Sequence, residues 1–184
     1  MRKQKHQMFT WLGKRSDGQR KARELYGAVV AQARAPVFYS RLGVADTMEG
    51  RYELVALHLI LALERLGQPD VASEELRRET LETFVTDMDD CLREIGAGDA
   101  SVPKRVKRAA GGVYARSNDY GAALGQDDDS ALIKALTQHV YQGDGGASVA
   151  ALAHYVRQAR SDLAGQTRDA LRAGVIRFPQ PEAP

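Results

Sequence analysis

Residues 52–63 restrict the fold of this 184-residue sequence most, because their side chains are apolar on nearly every side of a helix. A helix of this kind is stable when other helices surround it. Asp46 and Thr47 precede the run, and both residue types are good helix N-caps. The sequence therefore predicts a central helix that starts near residue 47 and packs against neighbours on several sides.

Five further stretches place apolar residues at the three- and four-residue spacing of amphipathic helices. They lie at about residues 17–35, 70–95, 101–114, 130–140 and 148–163. Hydrophobic residues make up 43% of the chain and charged residues 27%, which is the balance of an ordinary globular protein. We find neither paired strand patterns nor an internal repeat. The expected fold class is all-α, a compact single-domain bundle of about six helices.

The boundaries of this domain follow from composition. Residues 1–16 are basic and predict a partly flexible N-terminal arm, and the helical domain covers residues 17–177. Residues 178–184 contain three prolines, so they predict a disordered tail. Residues 38–44 lack a helical period and contain a glycine, which predicts an apolar connecting loop.

The net charge indicates which partners to expect, and the cysteine content indicates which cellular compartments are possible. The net charge is only +2, which gives no reason to expect DNA as a partner. A single cysteine, Cys91, cannot form an internal disulfide, so no oxidising compartment is required. No apolar stretch reaches the roughly 18 residues of a membrane-spanning helix. We expect a cytoplasmic protein and leave open a peripheral position at the inner membrane.

The sequence contains one candidate group of metal-binding residues. Asp87, Asp90 and Glu94 fall on one helical face and could hold a hard cation, although no second helix offers a matching ligand motif. An acidic solvated face explains them better. His58 stands among apolar residues and predicts a buried, neutral histidine bonded to a carbonyl oxygen. We expect no enzyme, no cofactor and no metal, and keep a metal-dependent protein or enzyme as an alternative.

Two basic segments are candidates for contact with a membrane surface or with a ribosome or other RNA. In the first, basic side chains flank a short group of apolar and aromatic ones near the N-terminus, and the second opens the helix predicted after residue 101. Their candidate residues are Phe9, Trp11, Lys14 and Arg15, and Lys104, Arg105 and Lys107. A mobile arm and an ordinary solvated helix face are the alternatives.

Two motif blocks carry a family resemblance. The first comprises Tyr26-Gly-Ala-Val-Val-Ala-Gln-Ala-Arg34, Phe38-Tyr39, Leu42-Gly-Val44, Asp46-Thr47, Gly50-Arg51 and Leu57-His58-Leu59. The second is Asp87-Met-Asp-Asp-Cys-Leu-Arg-Glu-Ile-Gly-Ala-Gly-Asp99 followed by Val102-Pro-Lys-Arg-Val-Lys107. In order and spacing this set resembles the ubiquinol-cytochrome c chaperone family.

The resemblance implies an assembly factor, not an enzyme, that binds newly made cytochrome b and aids biogenesis of the ubiquinol-cytochrome c reductase complex. The client would be a membrane protein. The better-known mitochondrial members work with a small partner subunit and near the ribosome, and this chain resembles a bacterial relative of them. Candidate client-binding residues are Phe38, Tyr39, Leu42, Val44, Asp46, Arg51, Asp87, Asp89, Arg93, Glu94 and Asp99.

The first four of these residues are expected to form the rim of an accessible apolar groove. The alternative is that they plug the bundle, with their side chains buried in its core. Arg51 is expected to pair with Asp87 or Asp89.

Overall fold

Every regular element in the described part of the chain is an α-helix. In this computed structural model the described residues are 2–68, 74–94 and 102–181, with side chains from residue 17 onward apart from those of residues 92, 94, 102 and 105. The helices are α1 Arg2–Ala33, α2 Pro36–Ser40, α3 Met48–Leu66, α4 Glu74–Glu94, α5 Val102–Leu124, α6 Ser130–His139, α7 Ser148–Gly165 and α8 Arg168–Arg172. The predicted all-α bundle is confirmed. The sequence reading missed the two five-residue helices, α2 and α8.

Helix α3 lies at the centre, as the apolar run predicts. All side chains from residue 53 to residue 62 are buried. It packs against α1, α5 and α7, while α4 contacts α1 and α5, and α6 contacts α5 and α7. The Thr47 hydroxyl accepts a hydrogen bond from the Gly50 N–H at 3.1 Å, so the predicted N-cap is present. The other helices thus form a shell around one buried helix.

The N-terminal region differs from the sequence expectation at two places. Helix α1 starts at Arg2 and runs for 32 residues, so its backbone crosses the predicted boundary at residue 16 without a break. At about 1.5 Å per residue it is roughly 48 Å long. Helix α2 replaces the first part of the predicted loop, because Pro36 stands at its first turn, where a fixed φ and a missing N–H favour a helix start.

The segment after α7 also departs from the expectation. Helix α8 begins after Thr167, whose hydroxyl accepts from the Ala170 N–H at 3.3 Å. The chain then turns at Gly174, with φ of +88°, and continues without helix through residue 181. Phe178 packs against the core, 5.2 Å from the His58 ring centre. The described part of the predicted disordered tail, residues 178–181, therefore packs on the bundle.

Several predicted helix ends lie outside the described residues. They are Asp70 and Gly96 at the ends of the third predicted helix and Ser101 before the fourth. Pro103, in the first turn of α5, is where the sequence expects a first-turn proline. Helix α5 continues through Gly111 and Gly112 to Leu124. Gly112 lies close to the hydroxyl of Tyr52 on α3. A Cβ atom added at Gly112 would be 2.9 Å from that oxygen.

Candidate functional site

The apolar residues of the first motif block plug the bundle and do not form an accessible rim. Phe38 and Leu42 are fully buried and Val44 is nearly so. The Phe38 ring meets the rings of His58 and Tyr155 edge to face, with centres 5.3 Å and 5.1 Å apart. The proposed groove rim is therefore corrected to a core contact. The pattern was ambiguous because an apolar, non-periodic segment can either cover a core or offer a binding surface.

The fourth residue of that set, Tyr39, is half-buried, and its hydroxyl donates to the Ala33 carbonyl oxygen at 2.9 Å. Burial of its phenol raises the pKa of Tyr39 above the ordinary value. The bond ties α2 back to the end of α1. Tyr39 thus fixes the turn between these helices and remains partly accessible as a residue.

Asp46 and Arg51 form a local ion pair beside the start of α3. Arg51 Nε lies 2.6 Å from Asp46 Oδ1, and both side chains are more than half exposed. The expected pairing of Arg51 with Asp87 or Asp89 is wrong, because a nearer carboxylate, that of Asp46, lies five residues earlier in the loop that precedes α3. Hydrogen bonding to Arg51 lowers the pKa of Asp46. The pair remains on the surface, where both charges can meet a partner.

Asp87, in the second motif block, has a structural partner. Its Oδ2 atom accepts a hydrogen bond of 2.7 Å from the Tyr26 hydroxyl on α1. Tyr26 is 5% exposed and stacks edge to face on Phe84, with ring centres 6.3 Å apart. Burial and the Asp87 carboxylate both raise the pKa of the Tyr26 hydroxyl. One member of the candidate cation-binding face thus joins α1 to α4.

The other charges of the second block lie along α4. Arg93 Nε donates to Asp89 Oδ2 at 2.7 Å, one helical turn away, and both side chains are partly exposed. Asp90 is exposed. The side chain of Glu94 and all of Asp99 lie outside the described residues. The structure therefore places Asp89, Asp90 and Arg93 on an accessible face and leaves the remaining two as predictions.

A buried charge pair that the sequence reading missed joins α3 to α5. Glu53 is 6% exposed, and the Arg116 guanidinium binds both of its carboxylate oxygens, with Nε donating to Oε2 at 2.6 Å. The same guanidinium lies 5.5 Å from the Tyr52 ring centre and donates to the Gly112 carbonyl oxygen at 3.1 Å. A glutamate in an otherwise apolar helix was the available signal, since a buried charge needs a partner.

His58 is buried and neutral, as the sequence predicts. Its Nδ1 atom lies 2.7 Å from the Leu54 carbonyl oxygen and its Nε2 atom lies 2.8 Å from the Tyr155 hydroxyl. Complete burial lowers the pKa of His58 to about 4. Phe38, Tyr155 and Phe178 surround the imidazole. The ring is therefore the polar centre of an aromatic cluster.

Helix α5 has an exposed basic face that includes part of the second motif block. Lys104, Lys107 and Arg108 are exposed, and Tyr114 is 74% exposed farther along the helix. Met48, at the start of α3, is another exposed large apolar residue, at 54%. The side chains of Arg105, Phe9, Trp11, Lys14 and Arg15 lie outside the described set. Of the predicted surface-contact residues, Lys104 and Lys107 are therefore the ones placed on an accessible face.

The described residues also bear on the metal-binding alternative. They contain no group of three or more His, Cys, Asp or Glu side chains that could hold a metal ion. His139 Nε2 lies 2.8 Å from Asp119 Oδ2, and His154 is exposed on a different helix.

Within residues 2–68, 74–94 and 102–181, no helix combines the length and apolar character that crossing a bilayer requires.

Comparison with known proteins gives one family match and a structural match. The family model described as ubiquinol-cytochrome C chaperone matches residues 40–178. The crystal structure of the Cbp3 homolog from Brucella abortus has a TM-score of 0.81 to this fold and 36% sequence identity, over 94% of this chain and 96% of that chain. No match was found among curated proteins. The structural likeness covers nearly the whole chain.

Proposed function

Because the chain belongs to the ubiquinol-cytochrome c chaperone family, we propose that it binds newly made cytochrome b and aids assembly of the ubiquinol-cytochrome c reductase complex. The observation that carries this proposal is the family match over residues 40–178, which spans α3 to the segment after α8. A chaperone of this kind acts by binding, so its working parts are surfaces and grooves. The accessible charges described above are then candidates for client recognition.

The accessible charges of the two motif blocks are our proposed recognition residues. Asp46 and Arg51 pair with each other, as do Asp89 and Arg93, and all four side chains lie partly in solvent. Exposed pairs of this kind contribute at most about 1 kcal/mol to stability, so exchanging partners costs little. Complementary charges mainly fix orientation and speed the encounter. Glu94 and Asp99 belong to the same proposal through their positions in the second block.

Arg93 offers a sharp test because α4 contains a matched control. Arg93 pairs with Asp89 and Arg78 pairs with Glu82, in both cases across four residues on exposed parts of the helix. We expect Arg93→Glu to weaken crosslinking to cytochrome b in cells, while Arg78→Glu leaves it unchanged. Equal recovery of cytochrome b with both variants would remove Arg93 from the recognition surface.

The assembly role itself is tested by deleting the gene and recording reduced-minus-oxidised haem spectra. The proposal expects a loss of the cytochrome b signal that the intact gene restores. Unchanged cytochrome b content would reject it. Elemental analysis of the purified protein addresses the alternative function, a metal-dependent protein using Asp87, Asp90 and Glu94. Stoichiometric metal that disappears in Asp90→Asn would favour that alternative.

For location, we propose that the protein meets the inner membrane from the cytoplasm through the basic face of α5. Lys104, Lys107 and Arg108 are exposed there together with Tyr114, a combination suited to anionic headgroups. Arg105 and the N-terminal residues Phe9, Trp11, Lys14 and Arg15 would extend the contact.

Sedimentation with vesicles that contain anionic lipid, but not with neutral ones, is the expected result. Salt-sensitive binding to purified ribosomes without vesicle binding would assign the face to RNA instead.

A further inference from the structure

Residues 175–181 lie on the bundle in the way an extended peptide lies in a groove. From residue 175 to residue 178 the side chains alternate, since Ile176 is 5% exposed and Phe178 packs on the core, whereas Val175 is 41% exposed and Arg177 is exposed. Such an alternation is typical of an extended chain with one face bound. The turn at Gly174 and the bond from the Val175 N–H to the Ala170 carbonyl oxygen, 2.9 Å, start the segment.

Two glutamine side chains hold the main chain of this segment. Gln166 Oε1 accepts from the Arg177 N–H at 3.0 Å, and its Nε2 donates to the Arg177 carbonyl oxygen at 2.6 Å. Gln32 Nε2 donates to the Pro179 carbonyl oxygen at 2.9 Å. A side-chain amide that bonds both groups of one residue imitates a neighbouring strand. These hydrogen bonds are made to main-chain atoms, so they do not depend on the side chains of the bound segment.

An aromatic pocket receives the apolar side chain between these amides. The Phe178 ring meets His58 edge to face, with centres 5.2 Å apart and planes at 81°. Phe38 and Tyr155 form other walls around the same imidazole. The pocket is uncharged because His58 is neutral at physiological pH. It is therefore suited to any large apolar side chain presented by an extended backbone.

We propose that this groove, between Gln32 and Gln166 with His58 at its floor, binds an extended client segment that carries apolar side chains at alternate positions. In this structure residues 175–181 occupy the groove as a displaceable ligand from the same chain. The inference rests on the proposed chaperone function and names the part of the molecule that takes the apolar client. Displacement of residues 175–181 would uncover this apolar site, whose walls Phe38 and Tyr155 are buried in the present structure.

The probe is a fluorescein-labelled peptide with the sequence of residues 174–181, added to the full chain and followed by fluorescence anisotropy. An added ligand can bind only those molecules in which residues 175–181 have left the groove. Its apparent affinity is therefore its intrinsic affinity multiplied by the fraction of molecules with an open groove. We therefore expect Phe178→Ala in the chain to tighten peptide binding by about tenfold or more. The matched control Arg177→Ala removes an exposed side chain next to it and leaves the affinity unchanged. Adding Gln166→Ala to Phe178→Ala reverses the gain.

A second measurement does not depend on the stability of a variant. A peptide with photoreactive benzoylphenylalanine at the place of Phe178 is added in excess to the wild-type chain and irradiated. Crosslinks to the residues around His58 and Tyr155 support the groove. Crosslinks found only elsewhere overturn it, as does a cooperatively folded Phe178→Ala chain that shows no gain in peptide affinity.

The outcome for the groove can be separated from the outcome for the proposed function, because the probe is synthetic and no cytochrome b is present. If the peptide binds in the groove but the deletion strain has normal haem spectra, the groove proposal is supported and the cytochrome b role is rejected. A lost cytochrome b signal without peptide binding would keep the role and reject the groove.

Discussion

The Tyr155 hydroxyl on α7 lies 2.8 Å from Nε2 of His58 on α3, 97 residues away in the sequence. A neutral imidazole carries one proton, and the Leu54 carbonyl oxygen, 2.7 Å from Nδ1, requires that proton to be on Nδ1. Nε2 therefore accepts from Tyr155, whose oxygen in turn accepts from Gln32 Nε2 at 3.0 Å. A directional chain of hydrogen bonds thus links α1, α7 and α3 through the core.

The first prediction concerns the dependence of stability on pH. The pKa of His58 is about 4 in the folded protein and ordinarily 6.5, so the unfolded state binds a proton first as the pH falls. Above pH 6.5 the neutral ring makes its full contribution to the free energy of unfolding. As the pH falls toward 4, this free energy decreases by on the order of 3 kcal/mol. We expect His58→Gln to be less stable at pH 7 and to lack this part of the slope.

Urea denaturation of both proteins at several pH values between 4.5 and 7.5 measures the difference, in which the shared titration of surface carboxylates cancels. If the two unfolding free energies run parallel over this range, His58 does not titrate on unfolding as predicted.

The second prediction concerns the Glu53–Arg116 pair. Arg116→Met leaves a buried carboxylate without its partner, and we expect a loss of about 3–5 kcal/mol. Replacing both residues, with Glu53→Leu added, removes the uncompensated charge and should recover much of that loss. Urea unfolding of the four proteins in a double-mutant cycle gives the coupling free energy. Additive losses would show that the two side chains do not stabilise each other.

The third prediction compares two adjacent glycines of α5. A Cβ atom at Gly112 would lie 2.9 Å from both the Tyr52 hydroxyl and Arg116 Nη1, so Gly112→Ala should destabilise the protein. At Gly111 an added Cβ meets nothing within 4 Å, and Gly111→Ala should stabilise it by up to about 1 kcal/mol through helix propensity. Thermal unfolding of the two variants checks this. Shifts of the same sign would contradict the packing described at Gly112.

The fourth prediction concerns the bond between α1 and α4. Tyr26→Phe deletes the donor to Asp87, a hydrogen bond to a charged group, and should cost about 2 kcal/mol. Tyr114→Phe removes a hydroxyl from a side chain that is 74% exposed and should change stability by less than about 0.5 kcal/mol. Equilibrium unfolding in urea compares them. A Tyr26→Phe variant as stable as wild type would mean that the bond contributes no net free energy.

Local chemistry explains why parts of the fold could be predicted. The start of α3 follows from Thr47, since capping needs only the three residues that come after it. The buried state of His58 follows from its apolar neighbours on a helix that is apolar nearly all round. The short helix α2 was missed because five residues give too little periodicity to recognise, even with Pro36 at the start.

Other relationships depend on the path of the whole chain. Tyr155 and Phe178 reach His58 from two separate segments, and Gln32 reaches Tyr155 from a third. Arg116 likewise reaches Glu53 across 63 residues. No spacing in the sequence encodes such distances, because helix packing and not helix propensity sets them. The wrong partner predicted for Arg51 has the same origin. The sequence offered Asp87 and Asp89, but the fold places the Asp46 carboxylate 2.6 Å from Arg51.

The sequence by itself thus determined the all-α class, the central helix and the family likeness, since each follows from local period, caps and motif order. Only the tertiary structure decided that Phe38 and Leu42 are buried and that residues 175–181 lie over the core. The physical reason is that an apolar side chain gains the same free energy on any apolar surface it reaches. Which surface it reaches depends on how all the helices pack.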